Sequence, residues 1–304
     1  MEALKAGTKT RQGLVASAAI GLTVLSGLLY VLGYALSKNL VTNHGLSPLQ
    51  VTFLRCFVIL LVGLAATSWP GNRMTWRRLL RPEEAWQQRA AAAALVASNA
   101  LAVLAYTLLS VTAASALGFT APLLLALLGG LFLRERVSLG RWLGTLVGFA
   151  GMLLIVKPGG EASLFGIAAA FAGALTYAVY QILIRRLREV ATTLDTIMQV
   201  ALVGVVLLAV PVTADWRPVS LLSAGLVVVV TVVQTAALAS IAAALHRGEA
   251  SRLAPWQFSG LLWAMALDAL FLHATPTPGS LFGALLVIGG GVLAQALKSR
   301  SAPS

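Results

Sequence analysis

The chain reads as an all-α polytopic membrane protein, with ten spans arranged as two five-helix repeats of opposite orientation. Three observations lead there. Only 11% of the 304 residues are charged, 59% are hydrophobic, and the mean hydropathy is +0.88. A soluble domain carries about 25% charged residues. Charge-free runs of bilayer length recur along the whole chain. A glycine pattern in the first half returns in the second half at a fixed offset.

The spans follow from the need for about 20 apolar residues to cross a bilayer. Gln12 to Ser37 is free of charge for 26 residues, too long for a signal-peptide core. It belongs to a retained first span, Gly13–Leu40. The turn Asn43-His44-Gly45 precedes span 2, Ser47–Ser68. Between Arg89 and Arg134 lie 44 residues without a charge, which must be a hairpin of spans 3 and 4 turning near Ser110–Ala114. Span 5 is Ser138–Val156, ended by Lys157-Pro158-Gly159-Gly160. Spans 6 to 10 are Ser163–Ile184, Leu194–Thr213, Val219–Leu245, Glu249–Leu272 and Gly279–Leu297. The remaining loops are too short for a soluble domain.

Orientation follows from the positive-inside rule. Of the 22 Lys and Arg residues, 18 fall on one side and 2, Lys157 and Arg217, on the other. Lys38 and Arg55 lie inside spans. Both termini are therefore expected in the cytoplasm. The net charge of +12 is spread over six cytoplasmic segments, which argues against a nucleic-acid partner. The expected partners are the lipid bilayer and a small-molecule substrate.

Leu131-Phe132-Leu133 with Gly140, Gly144 and Gly151 is matched by Leu270-Phe271-Leu272 with Gly279, Gly283 and Gly290, at an offset of 139. Tyr30 and Lys38 match Tyr177 and Arg185 at an offset of 147. The long loop Trp69–Gln88 accounts for the difference. Residues 1–157 and 158–304 thus form two copies. Each has five spans, an odd number, so the copies are inverted. Inverted repeats are common in alternating-access transporters, with the substrate between the copies near the midplane.

The chain resembles the drug/metabolite transporter superfamily of the bacterial exporter type. The resemblance rests on Pro48 with Arg55 in span 2, Pro122 in span 4 and Arg134-Glu135-Arg136 after it. Gly144, Gly148 and Gly151 in span 5 and Tyr177–Tyr180 at the end of span 6 also fit. Ala274 departs from the pattern, standing where many members have a second glutamate. Within the superfamily the chain looks most like the aromatic amino acid exporters. The resemblance implies export of small metabolites, amino acids included, across a bacterial inner membrane. An exporter of aromatic or cationic drugs is the alternative.

Candidate substrate-binding groups are those that stack on rings or offer hydrogen bonds inside the spans. They are Tyr30 and Tyr34 on span 1, Asn99 and Tyr106 on span 3, and Tyr177, Tyr180 and Gln181 on span 6. Gln234 on span 8 and Trp256, Gln257 and Trp263 on span 9 complete the set. Gly118 joins them because Pro122 has no N–H to give its carbonyl. The bland alternative for these residues is interhelical bonding and tight packing. Trp69, Trp76, Trp86, Trp142 and Trp216 are expected as interfacial belts.

Three charges lie inside spans: Arg55, Lys38 and Asp268. An intramembrane charge is a functional candidate by default. Lys38 is expected to snorkel outward. The three histidines, His44, His246 and His273, fall at span ends, and no chain of buried acids forms a proton relay. Facilitated transport, or at most weak proton coupling, is therefore expected. No Ser–His pair, aspartyl pair or metal cluster is seen, so neither an enzyme nor a cofactor or metal is expected. The single cysteine, Cys56, excludes an intramolecular disulfide.

Overall fold

A computed structural model describes residues 2–67, 79–121, 124, 128, 139–156, 163–187, 190–247, 256–271 and 275–296, with side chains for most of them from residue 17 onward. Among these are ten α-helices. They are α1 (Glu2–Thr42), α2 (Pro48–Thr67), α3 (Ala85–Leu108), α4 (Val111–Gly118) and α5 (Leu139–Val156) in the first half. The second half holds α6 (Leu164–Leu187), α7 (Thr193–Ala209), α8 (Leu221–Arg247), α9 (Ser259–Phe271) and α10 (Pro278–Ala296). A 3-10 turn, Pro211–Asp215, follows α7. Five helices are long and apolar enough to cross a bilayer on their own: α1, α2, α3, α6 and α8.

Local chemistry sets the boundaries. Gly45 takes a left-handed φ of 70°, which ends the turn after α1. Helices α2 and α7 both open on a reciprocal capping box. Gln50 N–H donates to Ser47 Oγ (3.1 Å) and Ser47 N–H to Gln50 Oε1 (3.5 Å). Asp195 N–H donates to Thr192 Oγ1 (3.2 Å) and Thr192 N–H to Asp195 Oδ2 (3.0 Å). Helix α1 starts earlier than expected because Lys5, Lys9 and Arg11 are good helix formers in water. The hairpin turns at Leu109–Ser110, earlier than expected, because the Ser110 hydroxyl caps Ala113 N–H (3.1 Å) and starts α4 there.

Spans 4 and 9 are not continuous. After α4 the chain makes a turn at Phe119–Thr120 before helical backbone resumes at Ala121. In span 9 a turn at Phe258 separates Trp256 and Gln257 from α9. Span 9 was expected to be one helix from Glu249; its continuous part begins ten residues later.

Helix α1 packs on α8, α3 on α6, α2 on α7, α4 on α9 and α5 on α10. Exchanging α1–α5 with α6–α10 leaves this set of pairs unchanged. The pairs are antiparallel. A Cβ on Gly151 would lie 2.5 Å from Gly283 O, one on Gly283 2.6 Å from Gly151 O, and one on Gly290 2.5 Å from Gly144 O. Rising numbers on α5 thus meet falling numbers on α10. The same exchange relates two buried hydrogen bonds. Ser26 Oγ donates to Ala237 O (2.8 Å) and Ser98 Oγ to Gly173 O (2.9 Å). Gly173 lies 147 beyond Ser26, and Ala237 139 beyond Ser98. These are the two offsets seen in the sequence.

Candidate functional site

The long helix α1 carries Tyr30 and Tyr34 one turn apart, and α3 brings Asn99 and Tyr106 against them. Tyr34 Oη donates to Asn99 Oδ1 (3.0 Å) and lies 3.4 Å from Tyr30 Oη. The Tyr34 and Tyr106 rings stack, with centroids 4.7 Å apart and planes 6° apart. Tyr106 Oη pairs with Ser115 Oγ of α4 at 2.8 Å. Four residues singled out from the sequence therefore form one cluster. Ser115 completes it; a small hydroxyl in an alanine-rich helix gave no signal of this.

Tyr34 and Tyr106 are 3% and 6% exposed, whereas Tyr30 keeps 43% of its surface accessible. Tyr177 and Tyr180 of α6 pack on each other with centroids 5.8 Å apart. Both lie near Tyr30. Residues Val111 to Leu117 of α4 are buried, but Gly118 is exposed, and a Cβ there would meet nothing within 4 Å. Pro122 and Pro255 lie outside the described residues. Gln181 is half-buried on α6.

Gln234 of α8 rests its amide on Gly33, and its Nε2 is buried without a hydrogen-bond partner among the described residues. The Nε1 of Trp263 is also buried and unpartnered there. Ser259, one turn before it, has a hydroxyl placed 3.2 Å from where a Cβ on Gly27 of α1 would stand. Trp263 and Gln234 thus approach α1 from two sides. Trp256 and Gln257 do not join them. The turn at Phe258 separates them from the helix of Trp263, and both are exposed, Trp256 at 46%.

The charges in the spans have separate fates. Lys38 Nζ donates to Leu109 O (2.7 Å) at the turn between α3 and α4. That carbonyl ends a helix and has no partner of its own, which makes it a strong acceptor. Asp268, 4% exposed, accepts from Val111 N–H (3.0 Å) and Thr112 N–H (2.6 Å). It caps α4 from a different helix. Both its oxygens are engaged with backbone amides, where a carboxylate is stabilised by the helix dipole. Arg55, 8% exposed on α2, has no partner for Nε or Nη1 among the described residues. Of the expected belt residues, Trp86 is 82% exposed and Trp216 47% exposed, its ring edge-on to Phe53. Trp69, Trp76 and the Trp142 side chain lie outside the described residues. Among the described residues, no three His, Cys, Asp or Glu side chains gather as metal ligands.

Known proteins agree with this architecture. A crystal structure of a protein aligns with 97% of this chain and 99% of its own, with a TM-score of 0.62 at 20% identity, a likeness of fold alone. The riboflavin transporter of Vibrio cholerae is 30% identical over 182 residues, 57% of this chain and 58% of that protein. The S-adenosylmethionine uptake transporter of Rickettsia bellii is 24% identical over 179 residues, 59% of this chain and 61% of its own. The chain thus matches about three fifths of the length of these curated relatives. Their names do not include amino acid export, the narrower resemblance drawn from the sequence. Residues 17–157 and 164–294 each match the EamA-like transporter family, and the chain belongs to that family of membrane transporters.

Proposed function

We propose that the protein carries small metabolites bearing a flat aromatic ring, aromatic amino acids first among them, through the cavity bordered by Tyr30, Tyr34, Tyr106, Tyr177 and Tyr180. The observation behind this reading is the tyrosine cluster. It combines ring faces for stacking with hydroxyl and amide groups for orientation, beside a Tyr30 that stays accessible. The names of the relatives favour the same chemistry. Riboflavin and S-adenosylmethionine both carry a fused aromatic ring, and the second is also an α-amino acid.

In this reading residues 1–157 and 158–304 are two copies of opposite orientation, with both termini in the cytoplasm of a bacterial inner membrane. The antiparallel α5–α10 contact and the 18:2 distribution of basic residues support it. Transport proceeds by alternating access. Asp268 is held by two backbone amides, which leaves it a cap and not a carrier of protons with the solute. Flux then follows the solute gradient, which is outward for amino acids made in the cell.

Reconstitution into liposomes loaded with phenylalanine tests the proposal. Labelled phenylalanine, tryptophan and tyrosine are expected to exchange faster than leucine. Flux of a lipophilic cation without amino acid flux would overturn it in favour of an exporter of cationic drugs.

A further inference from the structure

Arg55 is a buried cation without a counter-charge among the described residues. Its side chain is 8% exposed, and neither Nε nor Nη1 has a hydrogen-bond partner among the described residues. The described carboxylates near spans are engaged elsewhere. Asp268 caps α4, Asp195 caps α7, and Asp215 pairs with Arg217 at 2.7 Å outside the spans. An unpaired charge inside a span is costly, and so is a buried charge left without its partner. A protein that keeps such a residue needs something to complete it.

The position of Arg55 says what completes it. Helix α1 ends at Thr42 and α2 begins at Pro48, joined by a short turn. Tyr34 lies eight residues before the first point and Arg55 seven after the second. At 1.5 Å per residue both sit about 10–12 Å in from the same end. Arg55 is within electrostatic range of the Tyr30 and Tyr34 hydroxyls. It therefore stands at the depth of the tyrosine cluster, on the helix facing it. The other orphaned groups around α1 include Gln234 Nε2 and Trp263 Nε1, which like the guanidinium can only donate. The buried Ser259 hydroxyl beside Gly27 is also unpartnered and can donate as well, and a planar guanidinium matches a carboxylate with two parallel hydrogen bonds.

We propose that Arg55 is the binding partner of a carboxylate on the transported molecule, so that aromatic acids and zwitterions are carried in preference to aromatic cations. This rests on the ring-binding reading of the tyrosine cavity.

Titration calorimetry on the purified protein in lipid nanodiscs tests it with phenylalanine, 3-phenylpropionate and phenylalaninamide, which share a ring and differ in charge. Wild type is expected to bind the two carboxylates at least about tenfold more tightly than the amide, the worth of a charge-assisted contact. In Arg55→Gln the gap is expected to shrink to about twofold, with binding of phenylalaninamide unchanged. Arg55→Lys should keep part of the preference. A gap that persists in Arg55→Gln, or equal weakening of all three ligands, would make the arginine merely structural and overturn the proposal. Equal binding of all three by wild type would overturn it while leaving the aromatic cavity standing. Binding of none would remove both readings. Should Arg55→Gln not fold, the wild-type ranking decides, and phenylalaninamide ranked first refutes the proposal.

Discussion

Phe119 and Phe258 stack with ring centroids 5.6 Å apart and planes tilted by 40°. They are separated by 139 residues, the offset that relates α5 to α10. Each also marks the break in its own span. Two residues that exchange with one another and touch must straddle the axis of the exchange. The breaks in the two spans thus meet one another across that axis. A double-mutant cycle of Phe119→Ala and Phe258→Ala, read by thermal unfolding, is expected to give a coupling of about 0.5–1.5 kcal/mol. Additive losses would mean that the rings only fill space.

The glycine contacts between α5 and α10 leave no room for a side chain. Gly283→Leu is expected to lower Tm by an overpacking cost of about 1–3 kcal/mol, because its Cβ would fall 2.6 Å from Gly151 O. Gly289→Ala, next to the contact face with nothing within 4 Å, is expected to leave Tm unchanged or raise it. A reversed order, measured by dye-free thermal unfolding in detergent, would contradict the antiparallel seam.

Opposite orientation of the two halves has a direct chemical readout. With Cys56 replaced by serine, Arg136→Cys in the 4–5 turn and Thr275→Cys in the 9–10 turn are expected to react from opposite sides of sealed vesicles with an impermeant maleimide. Labelling of both from one side would rule out inverted copies.

Asp268 is read as a cap, not a proton carrier. Asp268→Asn keeps one acceptor and loses the charge at the start of α4, a cost of about 1 kcal/mol. A lower Tm is expected, with flux that ignores an imposed pH gradient in both wild type and variant. Strict gradient dependence in wild type, abolished in Asp268→Asn, would reverse the assignment.

Much of the scaffold was legible in the sequence because it follows spacing. Charge-free runs delimited the helices, and the offsets of 139 and 147 foreshadowed both the α5–α10 seam and the Ser26 and Ser98 hydrogen bonds. Helix periodicity also put Tyr30 with Tyr34 and Asn99 with Tyr106. What spacing along one helix does not carry is which faces meet. The Tyr34–Tyr106 stack needs α1 against α3, and the capping of α4 by Asp268 needs α9 beside it. The partner of Lys38 was hidden because the Leu109 carbonyl comes into reach only once the hairpin has turned. The breaks at Phe119 and Phe258 were hidden because phenylalanine is no helix breaker; their shared offset of 139 was the available sign. Within the tyrosine and amide cluster the repeat is only partial: Tyr30 is matched by Tyr177, but Asn99 and Tyr106 are matched in the second half by Leu238 and Leu245.

The central claim is that the tyrosine cluster binds the carried solute. The most direct test is counterflow of labelled phenylalanine into proteoliposomes by wild type and by Tyr34→Phe and Tyr106→Ala. Tyr34→Phe removes the hydrogen bond to Asn99, and Tyr106→Ala removes the ring stacked on Tyr34. The account predicts that Tyr34→Phe raises KM by about 3- to 10-fold and that Tyr106→Ala reduces flux at least about tenfold, both with normal yield and folding. Unchanged KM and flux in both variants would contradict it.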